Sequence, residues 1–385
     1  MVCSIYVRRR QGVRYRISVI GQTLGLSFLF LLLWGADFVS YAASRPIVQI
    51  LGSFKSPQYL AEDPSGNIWV TDPLNSTLTE IPPVAMAAGT CNAGCPVFSG
   101  SFSSPQRLQA DINGNIWVID ALSKTIVEVS KQAIAKGSCD SGCYVFSSKF
   151  NEPEYIASDS TGNIWISDFG KDNVVEITSR AIQNHACSPS LCLVYGDYFS
   201  GPSGIAVDPS GNVWVANHGS SQITEIKASA IKDGTCATGC TTYTSSVLAP
   251  SDIVIDNSGN PWILSRDNSE IGIVLNSAKG PLCRQGCSFF KPDLVQPTGI
   301  GFDRTGALWV LNSGILGILE IPAGGVRQES CTIGCPLFTL FDPNMSWSST
   351  TGNGTSPGSL VIDRGGNIWS TNPRNSTVVE IRTNQ

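Results

Sequence analysis

Seven copies of one short motif run through this chain, and a repeat at fixed spacing restricts the fold more than composition does. The copies are Asp63 to Trp69 (DPSGNIW), Asp111 to Trp117 (DINGNIW), Asp159 to Trp165 (DSTGNIW), Asp208 to Trp214 (DPSGNVW), Asp256 to Trp262 (DNSGNPW), Asp303 to Trp309 (DRTGALW) and Asp363 to Trp369 (DRGGNIW). Successive tryptophans stand 48, 48, 49, 48, 47 and 60 residues apart. In the fourth copy Gly204 to Val207 reads as a short inner strand. Asp208 to Gly211 reads as a turn, with glycine where a left-handed residue is easiest, and Asn212 to Ala216 as a second strand. Asn217 to Ser221 then turns the chain into Gln222 to Ile226, and a helical turn with a Cys pair leads to a fourth strand, Thr241 to Ser245. Four antiparallel strands at a period in the forties describe one blade of a β-propeller. A helical solenoid would need a 3.6-residue period, which the units lack.

Composition agrees. Charged residues make up 14% of the chain, against roughly 25% in ordinary soluble domains. With 38 Gly and 22 Pro, short strands and turns are favoured over coiled coils and helical bundles. A hydrophobic share of 42% is ample for a core and excludes intrinsic disorder. The expectation is an all-β, seven-bladed β-propeller of four-stranded antiparallel blades, filling residues 45–385 as a single domain. The last repeat ends after its third strand at Ile381, while Pro46 to Phe54 (PIVQILGSF) resembles the fourth-strand segment Pro96 to Phe102 (PVFSGSF). The N-terminal strand is therefore expected to complete the seventh blade and close the ring, which would leave no open sheet edge between first and last blades.

Residues 1–44 read as a targeting segment. Arg8, Arg9, Arg10, Arg14 and Arg16 precede the uncharged run Leu24 to Trp34, and small residues follow at Ser40, Ala42, Ala43 and Ser44. This order describes a secretory signal cleaved after Ala42 or Ser44, the alternative being an uncleaved anchor built on Ile17 to Trp34. The product would be secreted or periplasmic, a monomer with no membrane span. Net charge is -5 and five of the basic residues fall before position 17, so nucleic acid is not an expected partner.

Apart from Cys3, the cysteines form six close pairs: Cys91/Cys95, Cys139/Cys143, Cys187/Cys192, Cys236/Cys240, Cys283/Cys287 and Cys331/Cys335. An even count in tight pairs on an exported chain predicts six disulfides, each within one blade between the third and fourth strands. Zinc would need four ligands converging on one point, and each blade offers a single pair.

In a blade the first-to-second and third-to-fourth connections share one face of the disc. That face carries the Asp turns and the Cys pairs and looks structural, each Asp capping its own turn. The opposite face varies. Its first row follows a recurring proline: Gln58 and Tyr59, Gln106 and Arg107, Glu154 and Tyr155, Ser203, Asp252, Thr298 and Ser359. Its second row lies three residues after each tryptophan: Asp72, Asp120, Asp168, Asn217, Ser265, Asn312 and Asn372, with His218 and Arg266 one step further. Both rows border the expected channel, where several blades project side chains at once. Tyr59, Arg107, Glu154, Tyr155, Asp252 and Arg266 are the candidate ligand-binding residues. Asp72, Asp120 and Asp168 would form an arc able to attract Ca2+ or Mg2+, with turn capping as the alternative. Asn344 to Ser356 (NMSWSSTTGNGTS) accounts for the long last spacing and, with Trp347, is a candidate lid or recognition arm.

The stretch GIAVDPSGNVWVANHGSSQITEI, Gly204 to Ile226, resembles an NHL-type repeat, and the ring as a whole resembles the streptogramin B lyase-like family of seven-bladed propellers. That resemblance implies a lyase using His and Glu with magnesium on one face. Related propellers bind calcium with Glu, Asn and Asp at the channel and hydrolyse lactones or esters. The candidates here for such chemistry are His218 and Glu154. His185, the other histidine, lies two residues before Cys187, on the side of the Cys pairs. The sequence therefore supports a ligand- or protein-binding scaffold for a small molecule, peptide or glycan, with a metal-dependent lyase or a lactonase- or esterase-type hydrolase as the alternative.

Overall fold

The repeated motif folds into a similar hydrogen-bonded knot in every blade, the sixth lacking the asparagine amide bond because Ala307 stands in its place. Asp63 Oδ1 accepts the backbone N–H groups of Ser65 (2.8 Å) and Asn67 (3.0 Å), while Oδ2 accepts the Asn67 amide (2.8 Å) and the Trp69 indole N–H (2.9 Å). Gly66 takes the left-handed conformation that the turn requires, at φ 82°. The indole-to-aspartate bond recurs in all seven copies, at 2.8 to 3.0 Å. Asn115, Asn163 and Asn212 each add a third tie, accepting the first backbone N–H of the short helix that follows the third strand, from Lys131, Ser179 and Ala228. One aspartate thus binds its turn to the tryptophan of the second strand, and one asparagine binds the same turn to the helix. Both carboxylate oxygens are engaged, so the motif needs no cation to be satisfied.

The computed structural model describes residues 2–8, 14–20 and 47–383, apart from 51, 92–93, 148–149, 234, 237–238, 245–246, 275–286, 291, 293, 316, 329–336, 340–358 and 374. Seven four-stranded antiparallel sheets follow one another along the chain. Blade three is typical: Pro153–Ser158, Ile164–Asp168, Asn173–Ile177 and Cys192–Tyr195, with the helix Ser179–Asn184 between its third and fourth strands. The fourth repeat forms strands Pro202–Val207, Val213–Asn217, Gln222–Ile226 and Cys240–Thr244, within two residues of expectation at every boundary. In the seventh sheet Leu360–Ile362, Ile368–Asn372 and Thr377–Ile381 are joined by Ile47–Ile50, which pairs antiparallel with Thr377–Ile381.

The tryptophans carry the core from blade to blade. Trp69 packs on Leu108, Ile116 and Val118 of blade two, and Trp117 on Ile164 and Ile166 of blade three. Trp369 of blade seven packs on Leu60, Ile68 and Val70 of blade one. None of the seven is more than 4% exposed. Losing a side chain of this size from a packed interior costs about 3–5 kcal/mol, so each indole fastens two blades.

Four of the six expected disulfides are present within single blades: Cys91–Cys95, Cys139–Cys143, Cys187–Cys192 and Cys236–Cys240, with Cα separations of 4.9 to 5.2 Å. The described number is therefore four rather than the six expected. Cys283, Cys331 and Cys335 lie outside the described residues, and Cys287 is described only through its backbone, as the first residue of strand Cys287–Phe290. The expected bridges Cys283/Cys287 and Cys331/Cys335 thus fall outside the described side chains, because at least one partner of each is not described. Near the N-terminus, Val2–Arg8 and Arg14–Ile20 pair as a separate two-stranded sheet. Leu24 to Trp34 lies outside the described residues, as does the proposed arm from Asn344 to Ser356. No helix among the described residues is long and apolar enough to cross a membrane.

Candidate functional site at the channel

The first strand of every blade contacts the first strands of both neighbours, so these seven strands form the innermost ring. The residue ten positions before each tryptophan occupies an equivalent place on that ring: Tyr59, Arg107, Tyr155, Gly204, Asp252, Gly299 and Ser359. Register supports the equivalence, since Tyr155, Asp252 and Gly299 each pair with the residue two after their own tryptophan, namely Ser167, Leu264 and Leu311. A register shift just after the recurring proline precedes all three pairings, and such a bulge re-aims the side chains beside it.

Side-chain size around this ring is uneven. A Cβ on Gly204 would lie 2.8 Å from the Asp252 Cα, so blades four and five approach backbone to backbone there. Blades one, two and three instead contribute large side chains that meet. The Arg107 guanidinium carbon sits 3.2 Å from the centre of the Tyr155 ring and 4.7 Å from that of Tyr59, a cation–π sandwich. Desolvation works against the charge on Arg107, but Tyr155, Tyr59, Asp252 and Glu154 outweigh it and raise its pKa. Asp252 reaches the same cluster from blade five. Burial pushes its carboxyl up to about 6, with Arg107 and the backbone N–H groups of Ile253 and Ile300 opposing the rise. Glu154 is exposed at the mouth of the cluster, and burial of its surroundings raises its pKa against the pull of Arg107 and His218.

Five of the six candidate ligand-binding residues therefore form one electrostatic group: the rings of Tyr59 and Tyr155 lie against the Arg107 guanidinium, and Glu154 and Asp252 act on its charge. His218 joins through its electrostatic contact with Glu154, and its ring lies 6.3 Å from Phe169. Arg266 is exposed in the turn after Pro261–Ser265, with its backbone N–H donated to Ser251 Oγ at 3.2 Å, outside the cluster.

Asp72, Asp120 and Asp168 have a different task. Asp72 accepts the backbone N–H groups of Lys55 (2.6 Å) and Ser56 (3.1 Å), Asp120 those of Ser103 (2.6 Å) and Ser104 (2.7 Å), and Asp168 those of Asn151 (2.8 Å) and Glu152 (2.7 Å). Each is at most 1% exposed and holds the segment that enters the first strand of its own blade. Asn217 and Asn312 do the same work, accepting from Ser200 and Val295. The three carboxylates do not converge, and among the described residues no three His, Cys, Asp or Glu side chains are grouped closely enough to hold a metal ion. Asp72, Asp120 and Asp168 are thus engaged as backbone clamps in their own blades rather than grouped around a shared cation position.

A row of buried glutamates escaped the sequence reading. Glu80, Glu128, Glu176, Glu225 and Glu380 sit on third strands directly across from the tryptophans, and the recurring Glu-Ile or Glu-Val at the strand end was the available signal. Burial raises all five, to about 7 for Glu80 and Glu176 and about 8 for Glu128. Tyr195 and Tyr243 donate hydroxyl bonds to Glu176 (2.8 Å) and Glu225 (2.9 Å). In blades one and two the aromatic residue beside the tryptophan is Phe98 or Phe146, which has no hydroxyl. Glu128 Oε2 accordingly has no hydrogen bond, and His185 Nδ1, whose ring stacks on Tyr144, stands 3.7 Å away.

Comparison with known proteins agrees with this architecture. Residues 199–225 match the family model described as NHL repeat. Streptogramin B lyase aligns over 87% of this chain and 96% of its own, at 14% identity and a TM-score of 0.66. A catalytically inactive virginiamycin B lyase from Staphylococcus aureus, solved with quinupristin, aligns over 87% and 98% at 14% identity and 0.65. The extracellular domain of BT4673 from B. thetaiotaomicron aligns over 91% of this chain and 45% of its own, at 13% identity and 0.58. Comparison with curated sequences finds no match. Likeness at such identities is likeness of fold, and the chain is accordingly a seven-bladed β-propeller with an NHL repeat in its fourth blade, similar in fold to streptogramin B lyase.

Proposed function

We propose that this protein is an extracytoplasmic binding propeller that takes a small polar molecule, a peptide or a glycan into the mouth of its channel. The observation that carries this reading is the convergence of Tyr59, Arg107, Glu154, Tyr155 and Asp252 from four blades onto one point of the inner ring. Polar and aromatic side chains brought together from several blades are the usual material of a ligand site. Four described disulfides and the basic-then-apolar N-terminus support an exported protein. Pairing of Ile47–Ile50 with the last strand supports a ring closed by the N-terminal segment.

The test is a thermal-shift screen of the full chain against amino acids, dipeptides, and mono- and disaccharides, with hits confirmed by calorimetry. Binding should be lost in Glu154→Trp, which blocks the mouth from an exposed position. A hit that binds this variant as well as the wild type would move the site elsewhere.

A second reading has its own observation. Glu154 and His218 interact at the mouth, and a carboxylate beside an imidazole is a general acid–base pair. Metal-independent hydrolysis of lactone or ester substrates, abolished by His218→Gln, would favour that reading over simple binding.

A further inference from the structure

We propose that Arg107 makes the channel an oxyanion-recognition site, its guanidinium binding a carboxylate or phosphate group of the ligand in bidentate fashion. The inference rests on the channel reading above and names the chemistry of its ligand. Among the described residues the Arg107 guanidinium carbon lies over the rings of Tyr155 and Tyr59, and the group donates no hydrogen bond and forms no ion pair. These ring contacts hold the group in place and give none of its five N–H donors an oxygen acceptor. A planar fork held rigid with its donors unengaged is pre-organised for two parallel bonds to an oxyanion. Around the ring, Gly204, Gly299 and Ser359 bring no bulk to the equivalent positions, so the large side chains of blades one to three do not meet a matching set from the other side.

The charges facing Arg107 explain how binding would respond to pH. They are Asp252 from blade five and Glu154 from blade three, with the rings of Tyr59 and Tyr155 against the guanidinium, while Glu152 and His218 act on Glu154. Asp252 is the internal counter-charge, and burial brings its titration up to about 6. Below that pH it becomes neutral, Arg107 loses its balancing charge, and an external anion gains. Above it the carboxylate competes with the ligand.

The experiment titrates the full chain with methanesulfonate, whose charge is fixed across the range, at pH values of about 5 and 7.5. Heat and the Arg Nε–H resonance are followed, and dimethyl sulfone serves as the neutral control. Affinity for methanesulfonate should be higher at the lower pH by roughly tenfold or more. Asp252→Asn should bind equally at both pH values, whereas His218→Gln should keep the wild-type dependence. Arg107→Gln should lose at least about tenfold in affinity, and Arg107→Lys, which keeps the charge but not the fork, should fall between. Acetate and methyl phosphate then show whether the group recognised is a carboxylate or a phosphate. Equal binding of dimethyl sulfone, no binding of any of the three anions, or unchanged binding by a folded Arg107→Gln overturns the proposal. A ligand from the screen that is blocked by Glu154→Trp yet indifferent to Arg107→Gln would overturn it while leaving the channel reading intact. One blocked by neither would remove both.

Discussion

Two seven-membered rings of side chains, each built from one residue per blade, differ in almost every chemical respect. The first is the Asp63 series, in which every member is aspartate and every member bonds the indole of its own tryptophan. The second is the inner ring of Tyr59, Arg107, Tyr155, Gly204, Asp252, Gly299 and Ser359, in which five residue types fill equivalent places. In the repeated aspartates both carboxylate oxygens are engaged inside the blade. Where the residue varies, as at Arg107, donors stay unengaged. Repetition of the turn aspartate marks satisfied structure, and variation together with unengaged polar groups marks a candidate site.

That contrast breaks first at the motif aspartate. Asp111→Ala removes four hydrogen bonds and leaves the buried Trp117 indole and the Asn115 amide without their acceptor. Urea denaturation should show a loss of about 3–5 kcal/mol, and a loss below about 1 kcal/mol would mean that the knot does not hold the blade. The buried glutamates predict a pH effect of opposite sign to ordinary acid denaturation. Glu128 rises from 4.5 to about 8 on folding, so its contribution is fully present below the unfolded value and is lost as pH rises through about 8. The melting temperature should fall between about pH 5 and 8.5, and Glu128→Gln should flatten the curve by on the order of 2 kcal/mol.

Smaller effects sharpen the comparison. The Cys139–Cys143 bridge spans a separation of only four residues, so converting both to Ala should cost at most about 2 kcal/mol in chemical denaturation. A larger loss would show that the staple also shapes the helix–strand connection. Asp120→Asn is the mildest change, because Asn217 and Asn312 already perform the same clamp in sister blades. It should cost about 1 kcal/mol and leave the metal content of purified protein unchanged. Loss of a retained divalent ion on this substitution would instead restore the reading of Asp72, Asp120 and Asp168 as a cation arc.

Blade number, strand order and the four described Cys pairings were legible because each is local. A turn aspartate, a left-handed glycine and a tryptophan six residues after the aspartate form their bonds within one stretch of chain, so the pattern in the sequence is the pattern in space. The four described disulfides are local for the same reason. The third-strand glutamates were local too, but their significance was not: Glu128 is unusual only because Phe146, rather than a tyrosine, packs beside Trp117, and because His185 arrives from the next blade. Asp72, Asp120 and Asp168 look alike in sequence whether they point at a channel or cap a loop, and only the Lys55, Ser103 and Asn151 amides decide between the two.

The repeated motif alone dictates a propeller, since a unit that cannot bury its own tryptophan must stack against the next copy of itself. Tertiary structure alone decided which of the variable residues belong together. Tyr59, Arg107, Tyr155 and Asp252 are dispersed over four blades. They meet because the first strands line the inner ring, those of blades two, three and five bulging after their prolines, and the charge on Arg107 is balanced by a carboxylate contributed three blades away.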